Sequence, residues 1–130
     1  MNNKTKELFR KALPNGVRHF FLKSGFARIL RQAGWSGVDF LKLDVQGYEM
    51  KILKGGGDIL DRVEFILLEA SLQPLNAGAP LVDEILTFMR ARGFLMYDIC
   101  SFSRRPPQRL LSQIDLLMVR ETSKFSPTRT

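Results

Sequence analysis

Cysteine and histidine occur once each, at Cys100 and His19. A single thiol excludes an internal disulfide framework, and one residue of each kind builds neither a Cys-rich zinc site nor a paired-histidine metal site. Long apolar runs are missing too. No stretch approaches the roughly 20 residues needed to cross a bilayer, and charges interrupt residues 1–30 every few positions, so no secretory hydrophobic segment is present. These absences set the expectation of a cytoplasmic protein without a metal centre. Internal repeats and low-complexity tracts are likewise absent. What remains is a globular composition of 130 residues, 45% hydrophobic and 25% charged, sized for one domain that buries roughly two-thirds of its unfolded surface.

Negative charge is scarce at one end only. Residues 1–34 hold Lys4, Lys6, Arg10, Lys11, Arg18, Lys23, Arg28 and Arg31 against Glu7 alone, which accounts for the whole net charge of +7. The remainder balances, so the chain is a basic segment joined to an electrically neutral body. Apolar spacing predicts helices over residues 5–13 and 17–33, broken at Pro14, Asn15 and Gly16. They read first as helices packed on the body with solvated charges; the alternative is a non-catalytic interaction module whose basic arm lies on an anionic membrane or nucleic acid.

After Gly37 the pattern becomes strand and helix in alternation. Residues 38–45 predict a strand, Asp44-Val45-Gln46-Gly47 a turn, residues 48–54 a helix stopped by Gly55, Gly56 and Gly57, and residues 58–61 one more helical turn. Residues 63–69 have the continuous apolar centre of a strand covered on both faces. The clearest helix runs from Pro80 to Arg92: Leu81, Val82, Ile85, Leu86, Phe88 and Met89 share one face, acids lie in its first turn, and Gly93 follows. Residues 94–99 then predict a strand, residues 103–108 a basic Pro-rich loop, residues 114–119 an antiparallel return strand, and the residues after Lys124 a frayed tail. The body is thus β-α-β-α-β-β, an α/β sheet ending in a hairpin.

Ligands of open α/β sheets bind where strand carboxyl ends meet helix N-termini. At those places stand Asp44, Gln46, Gly47 and Glu49 after the first body strand, and Glu69 with Ser71 at the end of the second. Carboxylates on neighbouring strand ends can act as a general base, as acceptors for a hydroxyl, or as part of an oxygen-rich cation site. The same residues suit structural duties, with Asp44 capping the helix, Glu49 favouring its dipole and Glu69 bonding a neighbouring backbone. Other groups point to less. Gly55-Gly56-Gly57 follows a helix instead of preceding one and does not make a phosphate cradle, Cys100 reads as a small buried hydrophobe, and Arg104, Arg105 and Arg109 read as a solvated hairpin loop before they read as holders of a phosphate.

The run from Phe40 to Glu49, continued by Ile52-Leu53-Lys54-Gly55, resembles the second-half signature of the FkbM family of S-adenosylmethionine-dependent methyltransferases. Val63 to Leu72, Ala79-Pro80-Leu81, Arg92-Gly93-Phe94, Tyr97-Asp98 and residues 113–117 follow in that family's order. The resemblance implies the C-terminal half of a class I, Rossmann-like methyltransferase sheet, its strands being the fourth to seventh, arranged 4-5-7-6 with the seventh antiparallel. It implies S-adenosylmethionine as cofactor and a hydroxyl of a sugar or other metabolite as acceptor. Asp44 and Glu49 match the acids of the family's D-V-Q/E-G-x-E motif and Glu69 the acid closing the next strand, which implies catalytic places for these three, Asp44 nearest the reacting hydroxyl, with Gln46, Gly47 and Ser71 shaping the substrate wall. Nothing in residues 1–37 resembles the family's glycine-rich cofactor half. The resulting expectation is a basic segment over 1–37, a C-terminal methyltransferase segment over 38–121 and a flexible tail over 122–130, in a chain that is a truncated part of such an enzyme, is not active alone, and self-associates through the sheet edge left unpaired. A nucleic-acid partner is not implied.

Overall fold

The computed structural model describes residues 39–129 apart from residue 76. The helices expected over 5–13 and 17–33, and with them the basic arm, lie outside the described residues. Strands β1 (Phe40–Leu43) and β2 (Phe65–Ser71) are parallel, with Phe40 opposite Phe65 and Leu43 opposite Leu68. The connection between them carries α1 (Glu49–Gly55) and the single turn α2 (Gly57–Leu60). A loop and α3 (Val82–Ala91) lead to the hairpin of β3 (Phe94–Arg105) and β4 (Leu110–Arg120). β4 inserts between β2 and β3 and is antiparallel to both, giving the order β1-β2-β4-β3. That is the expected 4-5-7-6 order of a partial Rossmann-like sheet. Among the described residues β1 pairs with β2 only, and no helix is long and apolar enough to cross a membrane.

Alternation along the strands divides the apolar residues between two cores. Leu41, Leu43, Ile66, Leu68, Ala70, Leu116 and Met118 face α1, α2 and α3 through Ile52, Leu53, Ile59, Leu60, Ile85 and Met89. The opposite face gathers Phe40, Phe65, Leu95, Leu117 and Val119, flanked by Tyr97, Cys100 and Phe125. β2 is therefore buried on both sides, as its uninterrupted apolar centre predicts. α3 ends as its sequence predicts: Gly93 takes φ 77, a conformation costly for a residue with a Cβ, and its N–H donates to the Arg90 carbonyl at 3.1 Å.

The second strand is shifted by two residues, to Phe65–Ser71 from the expected 63–69, and three further boundaries differ from the sequence reading. α3 starts at Val82, with Pro80 outside it, because Leu81 is extended and its N–H donates to the Glu84 carboxylate at 3.3 Å. The predicted loop at 103–108 shrinks to a turn at 106–109, since the β3–β4 ladder continues out to Arg105 opposite Leu110. Backbone pairing outweighs the polar, charged composition that suggested a loop. In the segment read as a tail, Ser123 and Ser126 are buried, and the Phe125 ring lies 5.6 Å from that of Phe65. A short 3₁₀ turn, Pro127–Arg129, follows.

The rim opposite the strand carboxyl ends is closed by one cation. Arg120, the last residue of β4, donates through Nε to the Val63 carbonyl at 2.9 Å, through one terminal nitrogen to Leu60, and through the other to Arg92 at 3.5 Å. Its guanidinium also lies 4.3 Å from the Phe94 ring centroid. Burial lowers its pKa, which the nearby Asp61 partly offsets. The group ties the ends of α2 and α3 to the sheet by satisfying carbonyls that those helices leave over.

Candidate functional site

The turn after β1 positions the first group of residues. Gln46 and Gly47 are consecutive in left-handed backbone, φ 52 and 98, which turns the chain abruptly from strand into α1. Gln46 Nε2 donates to Asp44 Oδ1 at 3.2 Å, and Asp44 itself is exposed. Glu49 is only 3% exposed, and its Oε1 accepts the Val45 N–H at 3.1 Å. Glu49 thus clamps the turn, and Asp44 is not a helix cap: α1 begins at Tyr48 without a side-chain cap.

The second group stands on β2 and β4. Glu69 lies opposite Asp115, and Ser71 opposite Gln113. Because β1 and β2 are parallel and Leu43 pairs with Leu68, Asp44 and Glu69 follow those residues at the same rim of the sheet. Both also point away from the helices, since Leu43 and Leu68 belong to the helix-facing core. Gln113 Nε2 donates to Glu69 Oε1 at 2.7 Å, and the Ser101 hydroxyl donates to Asp115 Oδ2. Ser71, half-buried, makes a parallel bridge to Leu81 at the start of α3. Asp44, Glu69, Gln113, Asp115 and Ser101 therefore share one end of one sheet face, with Glu49 close behind the turn.

Charge in this corner is of one sign. The Glu69 carboxyl is held above its ordinary value of 4.5, first by burial, then by Asp44, Asp115 and Glu49, with Lys42 alone opposing. Desolvation and like charge both disfavour the anion, so Glu69 keeps its proton to a higher pH than an exposed carboxylate and accepts one more readily. Cys100, on the same face, is pushed up by burial, then by Asp98 and Asp115, which makes it a poor thiolate nucleophile. Among the described residues no three His, Cys, Asp or Glu side chains approach closely enough to hold a metal ion. A groove of 400 Å³ lies elsewhere, on the helical face between α1 and α3, lined by Met50, Lys54 and Phe88 among others.

Of the residues singled out in the sequence, Asp44, Glu49 and Glu69 come together electrostatically, Gln46 and Gly47 shape the turn, and Ser71 ends the strand. Gln113, Asp115 and Ser101 escaped that selection. A signal for two of them is present: Gln113 and Asp115 are polar at i and i+2 around Ile114, just ahead of the apolar run Leu116 to Val119, and so share one strand face.

The model of the methyltransferase FkbM domain matches residues 25–96. No curated protein matches. Among solved structures, Streptococcus pneumoniae Sp1610, whose assignment as a tRNA (m1A22) methyltransferase is provisional, superposes with TM-score 0.50 at 15% identity, covering 98% of this chain and 74% of that one. At that identity the likeness concerns the fold, and it agrees with the partial Rossmann-like sheet.

Proposed function

Because the chain belongs to the methyltransferase FkbM domain family, we propose that its carboxyl rim is the acceptor side of a methyl-transfer site, with a hydroxyl of a sugar or other metabolite as the group methylated. One observation carries this reading: Glu69, with a raised pKa, sits at one rim with Asp44 and Asp115, a constellation suited to receiving a proton. Glu69 takes the hydroxyl proton through the oxygen that Gln113 leaves uncommitted. Asp44, exposed at the neighbouring strand end, accepts a second hydrogen bond from the acceptor and fixes its orientation. Glu49 positions Asp44 by clamping the turn, and Asp115, anchored by Ser101, disfavours the Glu69 anion and so raises its affinity for a proton.

The methyl donor that this family implies is S-adenosylmethionine, which supplies an electrophilic methyl group. The described residues do not fit it. The turn amides that would cradle a nucleotide are already engaged, Val45 N–H on Glu49 and Tyr48 N–H on the Val45 carbonyl at 3.4 Å, and the glycine run at 55–57 follows α1 instead of opening a helix. Donor binding is accordingly assigned to groups other than these, and the described body alone is expected to be inactive.

Calorimetry of the chain with S-adenosylmethionine, followed by label transfer to a panel of hydroxyl compounds, tests the proposal. Transfer that Glu69→Gln abolishes supports it. Transfer that survives Glu69→Gln, or that goes to nitrogen acceptors only, contradicts it.

A further inference from the structure

Resting on the methyl-transfer reading, we infer that the tip of the β3–β4 hairpin is a subsite for a phosphate or diphosphate group of the acceptor. β4 runs antiparallel to β2, so its first residues project past the rim where Glu69 stands. Gln113 faces Ser71, the end of β2, and the hairpin ladder continues outward through Leu111 opposite Arg104 to Leu110 opposite Arg105. The hairpin overhangs the candidate site.

The overhang is strongly basic. Residues 103–110 contain Arg104, Arg105 and Arg109 and no acid. All three arginines are exposed, and among the described residues none forms an ion pair. The backbone arranges them nonetheless. Arg109 is fixed in left-handed backbone at φ 53, and its carbonyl receives Nη1 of Arg104 at 3.0 Å. The Arg104 guanidinium is further steadied 5.6 Å from the Phe102 ring. Alternation along β3 puts Arg105 on the face of Ser101 and Ser103, the face that Asp115 and Glu69 share.

Exposed guanidinium groups without an ion pair among the described residues, one of them held by a carbonyl and a ring, are suited to forked hydrogen bonds with phosphate oxygens. Leu111 lies about 13 Å along β4 from Asp115 at the usual strand rise. After an arginine side chain reaches back, an anion at the tip and a hydroxyl at Glu69 stand on the order of 10 Å apart, the span of a sugar phosphate or nucleotide. A basic turn with Arg105 on the face of the rim carboxylates fits a compact ligand with an anion at one end and a hydroxyl at the other. Those same carboxylates repel an extended polyanion.

Inorganic pyrophosphate titrated into the full chain, with amide and arginine Nε signals followed by NMR, tests the subsite against the double variant Arg105→Ala/Arg109→Ala. Both positions are exposed, so the variant folds with an unchanged melting midpoint. The expected result is a saturable response in residues 101–111 and binding about tenfold weaker in the variant. A response confined to other residues, or equal binding by the variant, overturns the subsite. So does a single-stranded RNA that moves the tip signals more than an equal concentration of phosphate groups in pyrophosphate. Adding S-adenosylmethionine separately keeps the two proposals distinct. A tip response supports the anion site whether or not the donor binds, whereas donor binding with a silent tip overturns the subsite and leaves the methyl-transfer reading standing.

Discussion

The two rims of the sheet treat charge in opposite ways. At the rim where β1 and β2 begin, Arg120 is surrounded by acceptors: the carbonyls of Leu60, Val63 and Arg92, and the face of Phe94. At the other rim Glu69 has one amide donor, from Gln113, and three carboxylates that raise its pKa. The first arrangement is saturated with partners and serves the fold. The second leaves a partly buried group under-paired among like charges, which costs stability and is useful only to chemistry. The contrast teaches where a substitution will damage the fold and where it will relieve it.

The largest effect is expected from Arg120→Ala, which strands several carbonyls and removes a ring contact; chemical denaturation should register a loss of about 3 kcal/mol. Arg120→Lys should recover only part of this, because an ammonium lacks the planar fork that reaches separate carbonyls. Glu69→Gln should cut methyl transfer at least about 100-fold, measured as label transfer to a hydroxyl acceptor, while the Gln113 amide keeps an oxygen to bond. Its stability should move the other way. A carboxyl whose folded pKa is raised favours the fold while protonated, and that contribution is lost as pH climbs from 4.5 through the raised value. Wild type and Glu69→Gln should therefore melt alike below pH 4.5 and diverge above the window, the variant being the more stable, by at most about 1 kcal/mol after solvent screening. Equal differences at all pH values would dissolve the contrast between the rims.

Smaller effects sharpen the saturated side. Phe125→Ala should cost about 1–2 kcal/mol by removing a ring from Phe65, and thermal melting would show whether residues after 121 belong to the packed body. Gly93→Ala should cost about 1 kcal/mol, since the α3 terminus demands φ 77 there.

Much of the fold was legible because local signals agreed. The apolar face and charged ends of α3, the glycine that stops it, and the double-sided burial of β2 each reflect one short-range rule. The spatial order of the strands came from the family resemblance; periodicity alone does not say that β4 inserts between β2 and β3. The hairpin arms were misjudged because Ser103, Arg104 and Arg105 are poor strand residues held by pairing with residues 110–113, which only tertiary register specifies. The site was half legible. Asp44 and Glu69 end successive strands in the sequence, whereas Asp115 meets Glu69 across a separation of 46 residues through an antiparallel register. The roles of Glu49 and Asp44 also differ from simple capping, because the left-handed pair Gln46-Gly47 folds the turn back so that Glu49, and not Asp44, receives a backbone N–H.

The most direct measurement is the carboxyl titration of Glu69 by carbon-detected NMR in wild type and in Asp115→Asn, a change that retains an oxygen for the Ser101 hydroxyl. The account predicts a wild-type midpoint above 4.5 that falls when Asp115 loses its charge. A midpoint at or below 4.5, or one that ignores the Asp115 substitution, would mean that the carboxylates do not meet at one rim and would contradict it.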